Sequence, residues 1–437
     1  MDLITLNPWW EDVSAIELDR HIRNLKNLKY VYHPPLLDKD FRKGNVYTIR
    51  GPRQVGKTTF LKMFIRKILD TSPKESIFYW SCDNLNSRED LIEILVRYSD
   101  FCKAKDVSSE YILLDEITEI EQWQKAIKFV IDNDIAGESC FLLTGSNAID
   151  LKKGSERLPG RRGKHGEDLF FMPLDFREYV KLIDPDWYRD HAKDTAVILN
   201  TMGGRLREYL DKYLITGGIP LVINEYEDNG NIPPYIHELY YSWIVGDLLK
   251  EGKNEQIFRE LMDSLILSYS TCVSWDSLAK RSSVKSHVTM ASYIEVLSNI
   301  FVIFQSYFYD VHRRITVHRK NKKIYFHDPF ILNVLTSKRN IKVDKEKVIE
   351  GVVGSVLKRK EMLKELHYSS GQKETDFVIP PETGIEVKYR NRISKEDRIK
   401  RNEIKDLVFI TRDLLEEDCI PIHIYLFLRG DIREIGD

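Results

Sequence analysis

Short apolar runs alternate with amphipathic stretches through the first third of the chain. Residues 45–50 (NVYTIR), 76–80, 111–114 and 140–144 are apolar and rich in β-branched or aromatic side chains. They are too short for helices and are predicted as buried strands. Helical periodicity lies between them, at 60–69, 88–98 and 119–132. Such alternation predicts an α/β fold, a parallel sheet covered on both faces. Ahead of it, residues 1–40 are mixed, with Asn7-Pro8-Trp9-Trp10 and a helix-like stretch near 14–27. From about residue 186 helical patterns take over, at 206–213, 234–250 and 255–270. Residues 275–327 read as helix–turn–helix and then two strands, at 301–309 and 323–327. Residues 344–364 are helical and lysine-rich, and 374–430 return to strands with one helix near 395–404.

Composition narrows the class more than the function. A chain of 437 residues with 42% hydrophobic content can bury several cores, so two to four domains are expected. Lys plus Arg (66) nearly balances Asp plus Glu (68), so any basic surface must be local. The five cysteines form no CxxC pair, which argues against a zinc site or a disulfide framework. The opening MDLITLNPWWEDV does not read as a secretory leader, and no apolar run reaches membrane-spanning length. A cytoplasmic location without membrane association is therefore expected.

One stretch carries specific chemistry. Gly51-Pro52-Arg53-Gln54-Val55-Gly56-Lys57-Thr58 fits GxxxxGK[ST] and lies between a predicted strand and a predicted helix. The glycines let backbone N–H groups curl around phosphate oxygens, Thr59 completes the expected nucleotide-binding stretch, and the helix that follows adds its positive end. Lys57 is expected on the β- and γ-phosphates of ATP and the Thr58 hydroxyl on Mg²⁺. The run Tyr111-Ile112-Leu113-Leu114-Asp115-Glu116 is an apolar strand ending in two acids. It is expected beside the loop strand, with Asp115 holding Mg²⁺ and Glu116 polarising the attacking water. Ser146 and Asn147, at the tip of the next strand, are candidates to orient that water. Arg161, favoured over Arg162 in a basic glycine-rich loop, is a candidate finger on the γ-phosphate, in cis or in trans from a self-associated copy.

Farther on, Lys280, Arg281, Lys285 and His287 cluster at the turn between two helices. Arg313, Arg314, Arg319, Lys320, Lys322 and Lys323 follow with no acids among them. A helix–turn–helix with a cationic hairpin suits contact with DNA phosphates. Asp376 on one strand and Glu386 on the next can approach each other across a hairpin. Lys388 shares the Glu386 face, since side chains alternate. Two carboxylates there would make a hard-oxygen site for a second Mg²⁺ or Mn²⁺, with Lys388 stabilising charge on a phosphate.

The segments GPRQVGKTT, YILLDEI, LLTGSNAIDL, the Gly160-Arg161 pair and Met172-Pro173-Leu174-Asp175-Phe176-Arg177-Glu178-Tyr179 together resemble a large prokaryotic group. These are the archaeal and bacterial AAA+-like ATPases of the STAND-related branch. Tyr213-Leu214-Ile215-Thr216-Gly217-Gly218-Ile219-Pro220 adds to the likeness, which spans about 45 to 226. Asp175 departs from the serine usual there. The resemblance implies a P-loop ATPase core with its N-terminal segment (1–185), a helical lid (186–270), a winged-helix domain (271–335) and a small α/β domain similar to PD-(D/E)XK nucleases (340–437). In such a domain an upstream helical acid, here Glu350, completes the set with Asp376, Glu386 and Lys388. The expected activity is ATP hydrolysis coupled to DNA binding or processing. The alternative is a regulatory ATPase switch that binds a protein partner and keeps the nuclease-like fold without its activity.

Overall fold

The computed structural model describes residues 2–136, 138–145, 151, 162–192, 198, 203–284, 286–360, 362, 364–371, 373–399 and 404–431. The chain divides into two compact units, Met1–Met172 and Pro173–Asp437.

The first unit is built on a parallel sheet of β1 (Val46–Arg50), β2 (Ile77–Ser81), β3 (Tyr111–Asp115), β4 (Cys140–Gly145) and β5 (Asp168–Phe170). Ile49, Ile112, Leu113, Leu114, Leu142 and Leu143 are wholly buried, so both faces of the sheet are covered, as near-continuous apolar strands require. The covering helices include Lys57–Ile68, Arg88–Ala104 and Trp123–Asp132. Strand order is β2-β3-β4-β1-β5. This corrects one expectation: β3 does not lie beside the loop strand β1, because β4 is inserted between them. The strand β5 was not anticipated. It is three residues long and begins with an aspartate, and it pairs with β1 at Thr48↔Asp168.

The opening aromatic segment has a definite task. β2 is the edge of the sheet, and an edge strand leaves backbone groups without ladder partners. Asn7 closes a reciprocal pair with Tyr79: its amide donates to the Tyr79 carbonyl (3.1 Å) and its oxygen accepts from the Tyr79 N–H (2.7 Å). The indole N–H groups of Trp9 and Trp10 both donate to the Ile77 carbonyl, at 3.2 and 2.9 Å. An edge that could recruit another strand is thus satisfied by side chains of the same chain.

In the second unit, helices Phe176–Ile183, Gly203–Thr216, Pro220–Asn229, Pro234–Lys250 and Glu255–Leu267 precede a mixed region. Helices Trp275–Ala279 and His287–Asn299 lead into β6 (Ile303–Asp310), β7 (Ile315–Thr316) and β8 (Lys322–Phe326). β6 pairs antiparallel with β7 and with β8. Helix Lys345–Lys360 follows, then β9 (Leu366–Ser370), β10 (Glu374–Ile379), β11 (Thr383–Lys388), β12 (Asp406–Thr411) and β13 (Cys419–Pro421). One sheet runs in the order β13-β12-β11-β10-β9-β6-β7, with β8 also on β6. The strands before and after residue 340 therefore belong to a single sheet, joined where β6 meets β9 in parallel at Ser306↔Leu366. Residues 422–427, read as part of a strand region, form the helix Ile422–Phe427, which is buried throughout. The helix expected near 395–404 is a turn over 395–398, and 400–403 lie outside the described residues.

The two family-like segments of this unit meet each other. Leu174 N–H donates to the Gly218 carbonyl at 2.6 Å, and the Tyr213 hydroxyl donates to the Leu174 carbonyl at 3.1 Å. A Cβ at Gly218 would sit 1.8 Å from the Leu174 carbonyl oxygen, which is why a glycine is needed there. Asp328 caps the neighbouring turn, accepting from Gly218 N–H and Phe330 N–H at 2.8 Å each. Asp175 caps helix Phe176–Ile183 in a capping box with Glu178. Asp and Ser are near-equal N-caps, so this departure from the group's pattern costs the helix little.

Next to Asp328, His327 is buried with its ring against Phe304 and Phe301. Burial, with Lys358 and Arg359 nearby, holds its pKa down near 3. The unfolded chain takes up this proton below about 6.5 while the folded chain does not, so stability is lost as pH falls from 6.5 toward 3. At pH 5 the loss from this residue is about 2 kcal/mol. Asp328, pushed up to about 6 by burial, opposes it in part of that range. His327→Phe keeps the ring packing and removes the proton. Denaturant unfolding of the second unit at pH 7 and pH 5 should show the pH 5 penalty shrinking by about that amount; an unchanged penalty would exclude His327 as its source.

Candidate nucleotide site and C-terminal acidic cluster

The glycine loop leaves β1 and enters helix Lys57–Ile68 at the C-terminal edge of the sheet. Gly56 adopts φ 101°, a conformation open to glycine and strained for other residues, and Gln54 also turns left-handed at φ 60°. A Cβ placed on Gly56 would meet nothing within 4 Å, so the loop presents bare backbone. Gly51 is required for a different reason, because its Cβ would fall 1.9 Å from the Phe171 carbonyl oxygen. Lys57 is buried, and its ammonium donates to the carbonyls of Gly51 (3.0 Å) and Pro52 (2.9 Å), arching over the loop.

Asp115 gathers three hydroxyls. Thr58 donates to its Oδ2 at 2.7 Å, Tyr79 to the same oxygen at 3.2 Å, and Thr144 to Oδ1. The first contact brings together the two side chains expected on Mg²⁺. Thr144 and Tyr79 were missed in the sequence. Thr144 is the polar break in the apolar run CFLLTG, and that was its signal. β4 lies between β1 and β3; Thr144 is in register with Ile49 of the loop strand, and its side chain reaches the acidic strand. It also accepts the Glu116 N–H at 3.1 Å. Glu116 itself sits at φ 50°, a costly conformation for a non-glycine residue that is concentrated at functional sites. Asp83, beyond the end of β2, is pushed up by burial and then by the charge of Glu116, so acids from two strand ends face the same region.

The Tyr79 ring rests on Lys62, whose ammonium lies 3.3 Å from the ring centroid and 3.4 Å from Asp19. His21 meets the Thr59 hydroxyl at 3.2 Å. The segment before the sheet thus reaches the loop helix. A hydroxyl beside an aspartate, bare backbone with a glycine at positive φ, and a lysine at the loop mouth match the donors a Mg²⁺-bound nucleoside triphosphate needs. Ser146, Asn147 and Arg161 lie outside the described residues. Arg162 is engaged elsewhere: with Arg50 it pairs Asp168, at 3.0 and 2.8 Å, and Thr48 also donates to that carboxylate.

In the second unit two of the expected acids, Glu350 and Asp376, share an unexpected centre. Lys323, read as a phosphate-contacting cation of the hairpin, is wholly buried. Its side chain points from β8 inward, to Glu350 on helix Lys345–Lys360 and to Glu374 and Asp376 on β10. Tyr325 donates to Glu350 at 2.6 Å. Asp376 also accepts the Val387 N–H at 3.0 Å, and Lys388 pairs Glu386 at 3.0 Å. Burial and the nearby Asp376 raise the Glu350 carboxyl to about 7. Among the described residues, Glu350, Asp376 and Glu386 do not present three oxygens to one point; the group that does converge is Glu416, Asp418 and Cys419, where Arg398 already pairs both acids. Elsewhere on the hairpin Arg313, Arg314, Arg319 and Lys320 face solvent, with Arg314 paired to Glu382. Lys322 lies over the Trp275 ring. Lys285 lies outside the described residues.

Residues 43–180 match the family described as AAA domain. The chain carries an AAA-type P-loop ATPase domain. Residues 207–342 match a second family, Domain of unknown function (DUF8612), across the expected boundary at 270. No curated protein matches the chain. Similar solved structures include a Walker-type ATPase of Pyrococcus abyssi, at 18% identity and TM-score 0.44 over 66% of this chain and 90% of that one. The ORC2 protein of Aeropyrum pernix matches at 14% identity and TM-score 0.37 over 76% and 95%. The ORC1 protein of the same organism, in complex with DNA, matches at 10% and 0.32 over 76% and 91%. Likenesses this distant carry no functional argument. Among the described residues no helix is long and apolar enough to cross a membrane.

Proposed function

We propose that the chain hydrolyses ATP with Mg²⁺ and uses the cycle to control DNA binding by its second unit, in the cytoplasm. The observation that carries the first half is the Asp115 carboxylate, held by Thr58, Thr144 and Tyr79, with Glu116 next to it on a left-handed turn. In this reading Lys57 binds the β- and γ-phosphates, and Thr58 and Asp115 hold the Mg²⁺ that neutralises them. Glu116 takes a proton from the attacking water, and Thr144 fixes the spacing between Asp115 and Glu116. Asn147 and Arg161 keep their proposed parts as water-orienting and γ-phosphate groups.

The DNA half rests on helix His287–Asn299 and the β6–β8 hairpin, whose exposed Arg313, Arg319 and Lys320 form a cationic edge. Two helices followed by an antiparallel hairpin, with Val273 bridging to Lys322, support a winged-helix reading. Binding of duplex DNA by the whole chain tests it. Arg319→Ala with Lys320→Ala should weaken binding on any sequence and lower the slope of log affinity against log salt by roughly 2, one counterion per lost phosphate contact. An unchanged slope would remove the hairpin from the DNA surface. The order of helix Lys345–Lys360, β9, β10 and β11, with β12 parallel to β11, supports a nuclease-like module at the C-terminus. The second reading, a switch whose nuclease-like module only binds, is favoured by the position of Lys323.

A further inference from the structure

An ammonium carries three N–H bonds and no acceptor. Lys323 offers them to three carboxylate oxygens: Glu350 Oε1 at 3.0 Å, Glu374 Oε1 at 2.6 Å and Asp376 Oδ1 at 3.0 Å. All its donors are thereby matched, with the side chain wholly buried. The acids it joins come from a helix and from β10, so the ammonium ties two elements to β8. Glu350 and Asp376 are also two of the acids that a metal-dependent site in this module would use. A divalent cation there would have to draw oxygens in to about 2.0–2.6 Å of its centre. The same oxygens instead surround a nitrogen at hydrogen-bond distance, and that nitrogen is covalently part of the chain. The remaining pieces are likewise committed. Asp376 spends its second oxygen on the Val387 N–H, and Glu386 is paired by Lys388.

We infer that Lys323 is a tethered cation standing in the place of a divalent metal, so that the C-terminal acidic cluster holds the module together and supports binding without metal-dependent cleavage. This rests on the nuclease-like reading of the module. A covalently attached charge cannot be exchanged and has no open coordination position, so it supplies neither a metal-bound water nor a Lewis acid for the phosphate. Its removal would leave buried carboxylates uncompensated, a strong penalty that a divalent ion could offset.

The experiment counts Mn²⁺ bound by the full chain, free of nucleotide, from the paramagnetic signal of the unbound ion. Wild type and Asp376→Asn should bind the same number of ions. Lys323→Met should gain one site, at least tenfold tighter than any in wild type, and Lys323→Met with Asp376→Asn should lose it. Mn²⁺ should raise the melting temperature of Lys323→Met and leave that of wild type unmoved. A wild-type Mn²⁺ site lost in Asp376→Asn overturns the inference even if Lys323→Met does not fold. A folded Lys323→Met with no added site overturns it as well. Plasmid cleavage separates the two readings. Mn²⁺-dependent cutting by wild type, abolished in Lys388→Ala, would sink the inference and strengthen the nuclease reading. A Lys323→Met chain that gains the ion yet cuts no DNA keeps the inference and removes only the expectation that the module could cleave.

Discussion

Lys57→Ala is expected to weaken ATP binding by at least about 100-fold, roughly 2.7 kcal/mol, and to bring turnover down to background. The side chain is buried at the loop mouth, where its ammonium spans the Gly51 and Pro52 carbonyls. Alanine removes the positive charge proposed for the β- and γ-phosphates and also the ammonium's bonds to the Gly51 and Pro52 carbonyls. Lys57→Arg should not rescue, because a planar fork cannot fill the role of a compact ammonium in this arch. The fold should survive, since the loop is also positioned by close packing of Gly51 on Phe171, which the substitution leaves intact. Equilibrium binding of a fluorescent ATP analogue and phosphate release, read beside the melting temperature, check this. Unchanged turnover would end the ATPase reading.

The sequence was most informative where chemistry needs a fixed local pattern. The glycine loop, its strand and its helix could be read because a phosphate-cradling loop demands Gly51, Gly56, Lys57 and Thr58 at fixed spacing. Strands β1 to β4 were legible from apolar runs. What lay hidden depends on residues distant in sequence. Nothing local says that Tyr79 on β2 reaches Asp115 on β3, or that Asn7 and two tryptophans close the edge of β2. Strand order was misjudged because adjacency is set by crossovers, which leave no trace in periodicity. Lys323 is the sharpest case. In the run Lys322-Lys323 both residues look like solvated cations, yet strand alternation sends one outward over Trp275 and the other inward to three acids. Two of those acids, Glu350 and Asp376, were singled out; Glu374 and the lysine's place among them were not, because a lysine is almost never fully buried unless it is paired.

Glu116→Gln should lower the turnover number by about 10² to 10⁴-fold while leaving ATP affinity within a few-fold of wild type. Glutamine keeps the volume and the polar tip and removes the basic oxygen that would accept the water's proton. The backbone should tolerate it, since the left-handed turn at φ 50° is already imposed on a non-glycine side chain and Thr144 still receives the residue 116 N–H. Binding should hold because the groups proposed on phosphate and Mg²⁺, Lys57, Thr58 and Asp115, are untouched. This split between turnover and affinity distinguishes Glu116 from Asp115, whose loss should impair Mg²⁺-dependent binding as well. Single-turnover phosphate release beside equilibrium nucleotide binding measures both quantities. If Glu116→Gln kept most of its turnover, the proton would have to go to another acid at this edge. Asp83 is the structural candidate, since burial, the larger cause of its raised proton affinity, persists when the Glu116 charge is removed.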